Sequence, residues 1–219
     1  MRYTDFINEE KKYVVYLDGV PKIHATSKDE AEEYAMIMDV PGSTRKVEIR
    51  YEELPKKTGR DLIGEDVDII KAKCELEHSD DGITGHFLFS QKPGQPTLLV
   101  GRVTGLAPGE HGFHIHQYGD LSNGCESAGP HFNPDGVDHG DSTEGHVGDL
   151  GNITADENGV AEINLILRRV DLSGDRSVVG RAIVVHADED DLGQGGDEES
   201  LKTGNAGDRV GCGVIRMSE

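Results

Sequence analysis

The chain has 219 residues, with 42 acidic against 22 basic side chains and a net charge of −20. This excess of negative charge would repel nucleic acids and anionic membranes, so neither is an expected partner. No apolar run is long enough to span a membrane, and the charged N-terminus does not resemble a signal peptide, so we expect a soluble cytoplasmic protein.

The first part of the chain predicts a small α+β domain. Residues 11–17, KKYVVYL, are rich in β-branched and aromatic side chains and predict a strand, and VPKIHAT predicts a second one after a turn. Ser27, with Glu30 three positions later, has the capping-box pattern that begins a helix, and TRKVEIRYEEL predicts a final strand. The expected order is ββαβ over residues 1–53, followed by a linker with proline, glycine and charge at residues 54–67.

The remainder, residues 68–219, predicts an all-β domain. In IIKAKCELE, apolar and charged residues alternate with a period of two, and Cys74 falls on the apolar face, where a buried free thiol is expected. Further short strands are predicted at ITGHFLF, TLLVGRV, GFHIH, AEINLIL, AIVVH and VGCGVI, a pattern that favours a sandwich or barrel. Two connections, residues 117–149 and 187–208, are too long to be turns, and we expect them to be functional loops.

A histidine pattern indicates what this domain could bind. In HGFHIHQYGD, residues 111–120, His114 and His116 would project from one face of a strand and could share a metal ion, whereas His111 would be a structural hydrogen-bonding residue. A single H-x-H also fits a solvated strand face, but further candidate ligands follow: His131, His139, His146, Asp149 and His186. Imidazoles with few thiols favour copper or zinc. Together the candidates suffice for two ions if one imidazole bridges them.

Five segments of the chain resemble the motifs of the eukaryotic-type Cu,Zn superoxide dismutases in order and spacing. They are GFHIHQYGD, GCESAGPHFNP, HVGDLGN, VVHADEDDLGQGG and GNAGDRVGCGVI. The resemblance runs from about residue 68 to the C-terminus. It implies an all-β Greek-key sandwich or barrel of immunoglobulin-like architecture, copper and zinc as cofactors, superoxide as substrate and a homodimer formed through the barrel.

The resemblance also implies a role for individual residues. The copper ligands would be His114, His116, His131 and His186, and the zinc ligands His131, His139, His146 and Asp149, with His131 as the bridge and as a proton carrier. Asp190 would link a copper-bound and a zinc-bound histidine, and Cys125 and Cys212 would form a disulfide. Arg209 would dock the anion beside copper, and Lys202 with Thr203 would line the approach.

Two features depart from the family pattern. The segment GDSTEG, between His139 and His146, is shorter than in common animal members, which puts the geometry of the zinc loop in question. Residues 1–53 have no counterpart in the plain enzyme, and we expect them to serve partner binding, assembly or placement.

The expected activity is the dismutation of superoxide to O2 and hydrogen peroxide, with two alternatives. A copper chaperone for such an enzyme also carries a dismutase-like domain behind an N-terminal module, but it needs CxxC and CxC thiol motifs. The first 73 residues and the tail GVIRMSE contain no cysteine. A non-catalytic metal-binding protein on the same fold is the other alternative, and the presence of Arg209 speaks against it.

Overall fold

The computed structural model describes residues 11–17, 20–25, 31–32, 35, 47–53, 69–79 and 82–218. The chain divides into two compact units, residues 1–66 and residues 67–219. In this described part, no helix combines the length and the apolar character that are needed to cross a membrane.

The described part of the first unit is a three-stranded antiparallel sheet. Its strands are β1 (Lys11–Leu17), β2 (Val20–Ala25) and β3 (Val47–Glu53), in the order β2-β1-β3. Residues 31, 32 and 35 are helical. The start of the helix expected at Ser27 and the whole of the expected linker, residues 54–67, lie outside the described residues.

The second unit is built almost entirely of short strands. They are β4 (Ile70–Glu75), β5 (His78–Ser79), β6 (Thr84–Gln91), β7 (Thr97–Thr104), β8 (Gly109–His116), β9 (Ser122–Cys125), β10 (Asp149–Ala155), β11 (Val160–Leu167), β12 (Ala182–His186), β13 (Arg209–Val214) and β14 (Arg216–Met217). The two long connections, expected to be loops throughout, contain β9, a 3-10 turn at Glu126–Ala128 and a short helix at Ser200–Thr203.

Ten of these strands form one antiparallel sheet in the order β14-β4-β6-β7-β11-β10-β8-β12-β13-β5. The connections from β7 to β8 and from β11 to β12 each pass over two neighbouring strands, which is a Greek-key arrangement. The segment predicted as one strand, IIKAKCELE, changes partner near Leu76, because β4 pairs with β6 whereas β5 pairs with β13. The sheet therefore curls until its two ends meet, and the prediction of an all-β Greek-key barrel is confirmed.

Strand β8 is buried on both faces. Phe113 and Ile115 point into the apolar core and have no exposed surface, and the intervening His114 and His116 are 0% and 1% exposed. On the histidine side the second long connection comes close, since a Cβ on Gly112 would lie 2.7 Å from the Cβ of Ala206. The alternation of the strand thus separates a hydrocarbon core from a polar compartment covered by the long connections.

Candidate metal centre

All eight predicted ligands and linking carboxylates lie in this polar compartment, and none is more than 6% exposed. They are His114 and His116 on β8, Asp149 at the start of β10, His186 at the end of β12, His131, His139 and His146 in the first long connection, and Asp190 in the second. Strand β8 lies between β10 and β12, and the register places Asp149 and Val184 opposite His114. The first connection returns to β8 through a backbone bridge between His116 and His131.

The first cluster consists of His114, His116, His131 and His186, whose ligand atoms all lie within 4.8 Å of one another. In each of the two β8 histidines of this cluster, one ring nitrogen forms a hydrogen bond with another protein group. His116 Nδ1 donates to the Gly129 carbonyl at 2.7 Å, and His114 Nε2 donates to Asp190 at 2.7 Å. His186 Nδ1 donates to the Gly207 carbonyl at 3.1 Å, which leaves its Nε2 3.4 Å from Nε2 of His116.

The remaining ring nitrogens of this cluster fit a metal ion. Among the described residues, the buried Nδ1 of His114 and the buried Nε2 of His131 have no hydrogen-bond partner. A buried polar atom without a partner costs about 1–3 kcal/mol, so two in one cluster need an explanation. Convergent imidazole nitrogens, each fixed through the other ring nitrogen, are the arrangement by which proteins hold copper or zinc.

The second cluster consists of His131, His139, His146 and Asp149, again with all ligand atoms within 4.8 Å. Oδ1 of Asp149 lies 2.8 Å from His131 Nδ1 and 3.2 Å from His146 Nδ1, and Oδ2 lies 2.9 Å from His139 Nδ1. His131 belongs to both clusters, with Nδ1 turned to Asp149 and Nε2 left for the first cluster. A three-histidine, one-carboxylate set is typical of a tetrahedral zinc ion.

The short segment between His139 and His146 does not pull this cluster apart. Its turn is held by the backbone of Gly145, which donates to the Asp141 carbonyl at 2.9 Å. The amides of Gly140 and His146 both donate to Oδ2 of Asp149, at 3.2 and 2.7 Å. The backbone therefore orients the carboxylate among the histidines.

Burial keeps the first cluster uncharged. Desolvation, assisted by the neighbouring His131, lowers the pKa of His114 to about 3 and holds the pKa of His116 well below its usual value. Desolvation also lowers the pKa of His186 to about 4. Neutral imidazoles have the free lone pair that metal binding requires.

The second cluster is charged. Burial raises the pKa of Asp149, but hydrogen bonds from His131, His139 and His146 outweigh it and hold that pKa far below the usual range. Burial likewise lowers the pKa of His139, yet Asp149 and Asp190 together raise it to about 9. The carboxylate is thus ionised, and His139 holds a proton that a metal ion would displace.

Asp190 connects the two clusters. Its Oδ2 accepts from His114 Nε2 at 2.7 Å, and its Oδ1 lies 2.8 Å from His139 Nε2. Asn152 holds the Asp190 backbone from both sides, with its amide donating to the Asp190 carbonyl and its side-chain oxygen accepting from the Asp190 N–H, each at 2.8 Å. A buried carboxylate therefore joins a histidine of the first cluster to a histidine of the second, in addition to the shared His131.

An open cleft of about 990 Å³ leads to His116, His131 and His186. Arg209, Lys202 and Thr203 line it, at positions where the resemblance implies an anion path. The cleft is also lined by four carboxylates, those of Glu126, Asp138, Glu199 and Asp208. Acidic groups thus outnumber the two cationic side chains in the lining of the cleft.

The disulfide expected between Cys125 and Cys212 is formed, with the sulfurs 2.13 Å apart. It joins the first long connection to β13, and the Arg209 guanidinium donates to the Cys125 carbonyl at 2.8 Å. Cys74 is a buried free thiol, and burial raises its pKa. His111 is structural, since its ring nitrogens lie 2.9 and 2.8 Å from the carbonyl oxygens of His186 and Ala107.

Sequence reasoning missed three residues that form contacts with the loop carrying the second cluster. Asp135 lies between His131 and His139 in the sequence. Its carboxylate is contacted by Arg169 and Arg176, which belong to the connection that follows β11. No motif marks these residues, because the contacts join positions 34 and 41 apart in the sequence.

A comparison with known families agrees with this geometry. The family model described as Copper/zinc superoxide dismutase (SODC) matches residues 83–215, which is more than half of the chain. The family binds copper and zinc, and the two histidine clusters fit those ions, so the expectation of both cofactors is confirmed. The chain belongs to the copper/zinc superoxide dismutase family.

Proposed function

We propose that residues 68–219 catalyse the dismutation of superoxide, two anions and two protons giving one O2 and one hydrogen peroxide. The observation that carries the proposal is His131, which is shared by two buried clusters and reached by an open cleft. Copper is assigned to the first cluster (His114, His116, His131 and His186) and zinc to the second (His131, His139, His146 and Asp149).

The metals supply one-electron redox chemistry at copper and a fixed geometry at zinc. Arg209 positions the anion, since its guanidinium is always charged and offers several donors. It acts close to the first cluster, where its charge contributes to the lowered pKa values of His116 and His186. His131 can hold a proton on Nε2 while Nδ1 stays turned to Asp149. Lys202 and Thr203 flank the path of the anion.

The cysteines speak against a copper chaperone. Thiol transfer of Cu(I) needs accessible cysteines, whereas Cys125 and Cys212 are paired and Cys74 is buried. Placement of Arg209 in the cleft speaks against a metal-binding protein without turnover.

Metal analysis and a dismutation assay on the same purified protein test the proposal. We expect one copper and one zinc per chain, and His131→Ala should weaken both sites and abolish turnover. His86→Ala is the matched control, because His86 is exposed and belongs to neither cluster. Full metal content and normal activity in His131→Ala would disprove the bridge, and a fully loaded native protein without turnover would disprove the activity.

We also propose that the barrel forms a homodimer in the cytoplasm, as the family resemblance implies. The described residues among 1–53 belong to neither cluster, which is compatible with a role in partner binding, assembly or placement. Sedimentation of the native protein, with and without these residues, tests the assembly.

A further inference from the structure

Two arginines, Arg169 and Arg176, bind Asp135 in the loop that carries the second cluster, and we call these three residues the arginine clamp. Asp135 lies in that loop between His131 and His139. Both terminal nitrogens of Arg176 donate to the Asp135 carboxylate, at 2.8 and 2.9 Å. Arg169 contacts the same carboxylate at 3.2 Å through Nη2 and donates through Nη1 to the Gly145 carbonyl at 2.5 Å. One guanidinium thus ties together two limbs of the loop that are ten residues apart in the sequence.

The second limb packs directly on the ligands. Gly145 precedes His146, and a Cβ on Gly145 would lie 2.5 Å from Oδ2 of Asp149 and 2.5 Å from the Gly140 amide. A shift of the Gly145 carbonyl would therefore move both the His146 backbone and the environment of the carboxylate. Arg169 reaches this point from outside the cluster and touches none of the ligands itself.

The tip of this loop is held by its own hydrogen bonds rather than by packing. Residues 141–144 are all exposed, so the segment between His139 and His146 gains little from apolar packing. The arginines, in contrast, come from an anchored connection, in which Val170 and Leu172 are buried and the Leu172 N–H donates to Gln91 at 2.9 Å. The clamp therefore joins the short loop to a connection that is anchored in the barrel.

We propose that Arg169 is a positioning residue for the second cluster and slows the release of zinc from it, with Asp135 and Arg176 as its supports. The inference rests on the assignment of zinc to this cluster but not on superoxide turnover. Loss of a group that hydrogen-bonds a metal ligand typically lowers metal affinity by about 10- to 100-fold. Arg169 acts one step further out, through the Gly145 carbonyl, so its effect should lie at the lower end of that range. Because the clamp is partly exposed, with side chains 24–43% accessible, we expect about tenfold faster zinc release from Arg169→Gln.

The test measures zinc transfer from the fully metallated, full-length protein to a chromophoric chelator. Arg169→Gln should release zinc about tenfold faster, and Arg169→Lys should restore only part of the difference, because one ammonium cannot reproduce the planar fork that reaches both acceptors. Arg176→Gln should have a smaller effect, since Arg169 still joins both limbs. Arg168→Gln, which removes the exposed neighbouring arginine, is the matched control and should match the native protein.

Melting of the metal-free variants separates positioning from general stability, and we expect Arg169→Gln and Arg168→Gln to melt alike. Zinc release at the same rate from these two variants would overturn the inference while leaving the dismutase proposal intact. A native protein that binds no zinc would instead overturn the metal assignment. If Arg169→Gln does not fold, Asp135→Asn carries the test, because it weakens both arginine contacts without altering Gly145. Unchanged release from that variant would also overturn the inference.

Discussion

The charges of the cleft lead to a quantitative prediction for Arg209→Ala. At about 7 Å from the anion, one positive charge contributes about 0.6 kcal/mol in water and about 2.4 kcal/mol at an effective dielectric of about 20. Arg209 is only partly exposed and is held by the Cys125 carbonyl, so its contribution should lie between these limits. The midpoint of about 1.5 kcal/mol corresponds to a second-order rate constant that is lower by roughly tenfold.

The carboxylates predict how salt changes that rate. The lining has four carboxylates against two cations, which leaves two excess negative charges. At about 10 Å each repels a superoxide anion by about 0.4 kcal/mol in water. Raising the ionic strength from about 0.01 to about 0.15 M shortens the Debye length from about 30 to about 8 Å, so the native enzyme should become about two- to fourfold faster. Arg209→Ala, with a third excess negative charge, should gain more.

Stopped-flow dismutation across ionic strengths, with metal content and melting checked in parallel, measures both effects. Lys92→Ala is the matched control, because it removes an exposed positive charge that is not part of the cleft lining. Equal rates and equal salt dependence for the native protein and Arg209→Ala would refute the role of this arginine. If the rate of the native protein falls as salt is added, the inference that the four carboxylates of the cleft slow the approach of superoxide is refuted.

Three further predictions concern the thiols, the N-terminal residues and pH. Thiol counting under denaturing conditions without reductant should find only Cys74 free, and reduction of the disulfide, which spans 87 residues, should cost about 4 kcal/mol of stability. A chain that starts at Ile63 should fold, bind both metals and keep dismutase activity, which loss of metal binding would contradict. Because the pKa values of His114 and His186 are lowered to about 3 and 4, the unfolded state binds more protons between those values and about 6.5, so the metal-free protein should lose stability as the pH falls from 6.5 to 4. His139, with its pKa raised to about 9, adds stability that is complete below about 6.5 and cannot offset that loss; urea unfolding at pH 7 and pH 5 checks the sign.

The sequence was most informative where geometry is local. The two-residue period of a strand was enough to place His114 and His116 on one face and His111 on the other, because that period does not depend on the rest of the fold. The proposed ligand set needed the family motifs as well, since His131 and His186 meet only through tertiary structure.

Other features were beyond such reasoning because they depend on contacts distant in sequence. Strand β5 is separate from β4 because β5 pairs with β13, which comes from the far end of the chain. The clamp of Arg169 on Asp135 and the excess of acids in the cleft arise from loops whose paths no periodicity encodes. The sequence showed the net charge, but only the structure shows which of these charges face the cleft.

The meeting of the two ends of the sheet has a consequence for protein engineering. Strand β14 pairs with β4, and the Ser218 N–H donates to the Lys71 carbonyl at 3.0 Å, so the beginning and the end of the barrel lie side by side. A short linker could join them, and new termini could be opened in the exposed turn at residues 92–95, remote in sequence from every ligand. The barrel is therefore suited to circular permutation. The same turn could accept an inserted reporter domain, and neither change would alter the order of the segments that carry the candidate ligands.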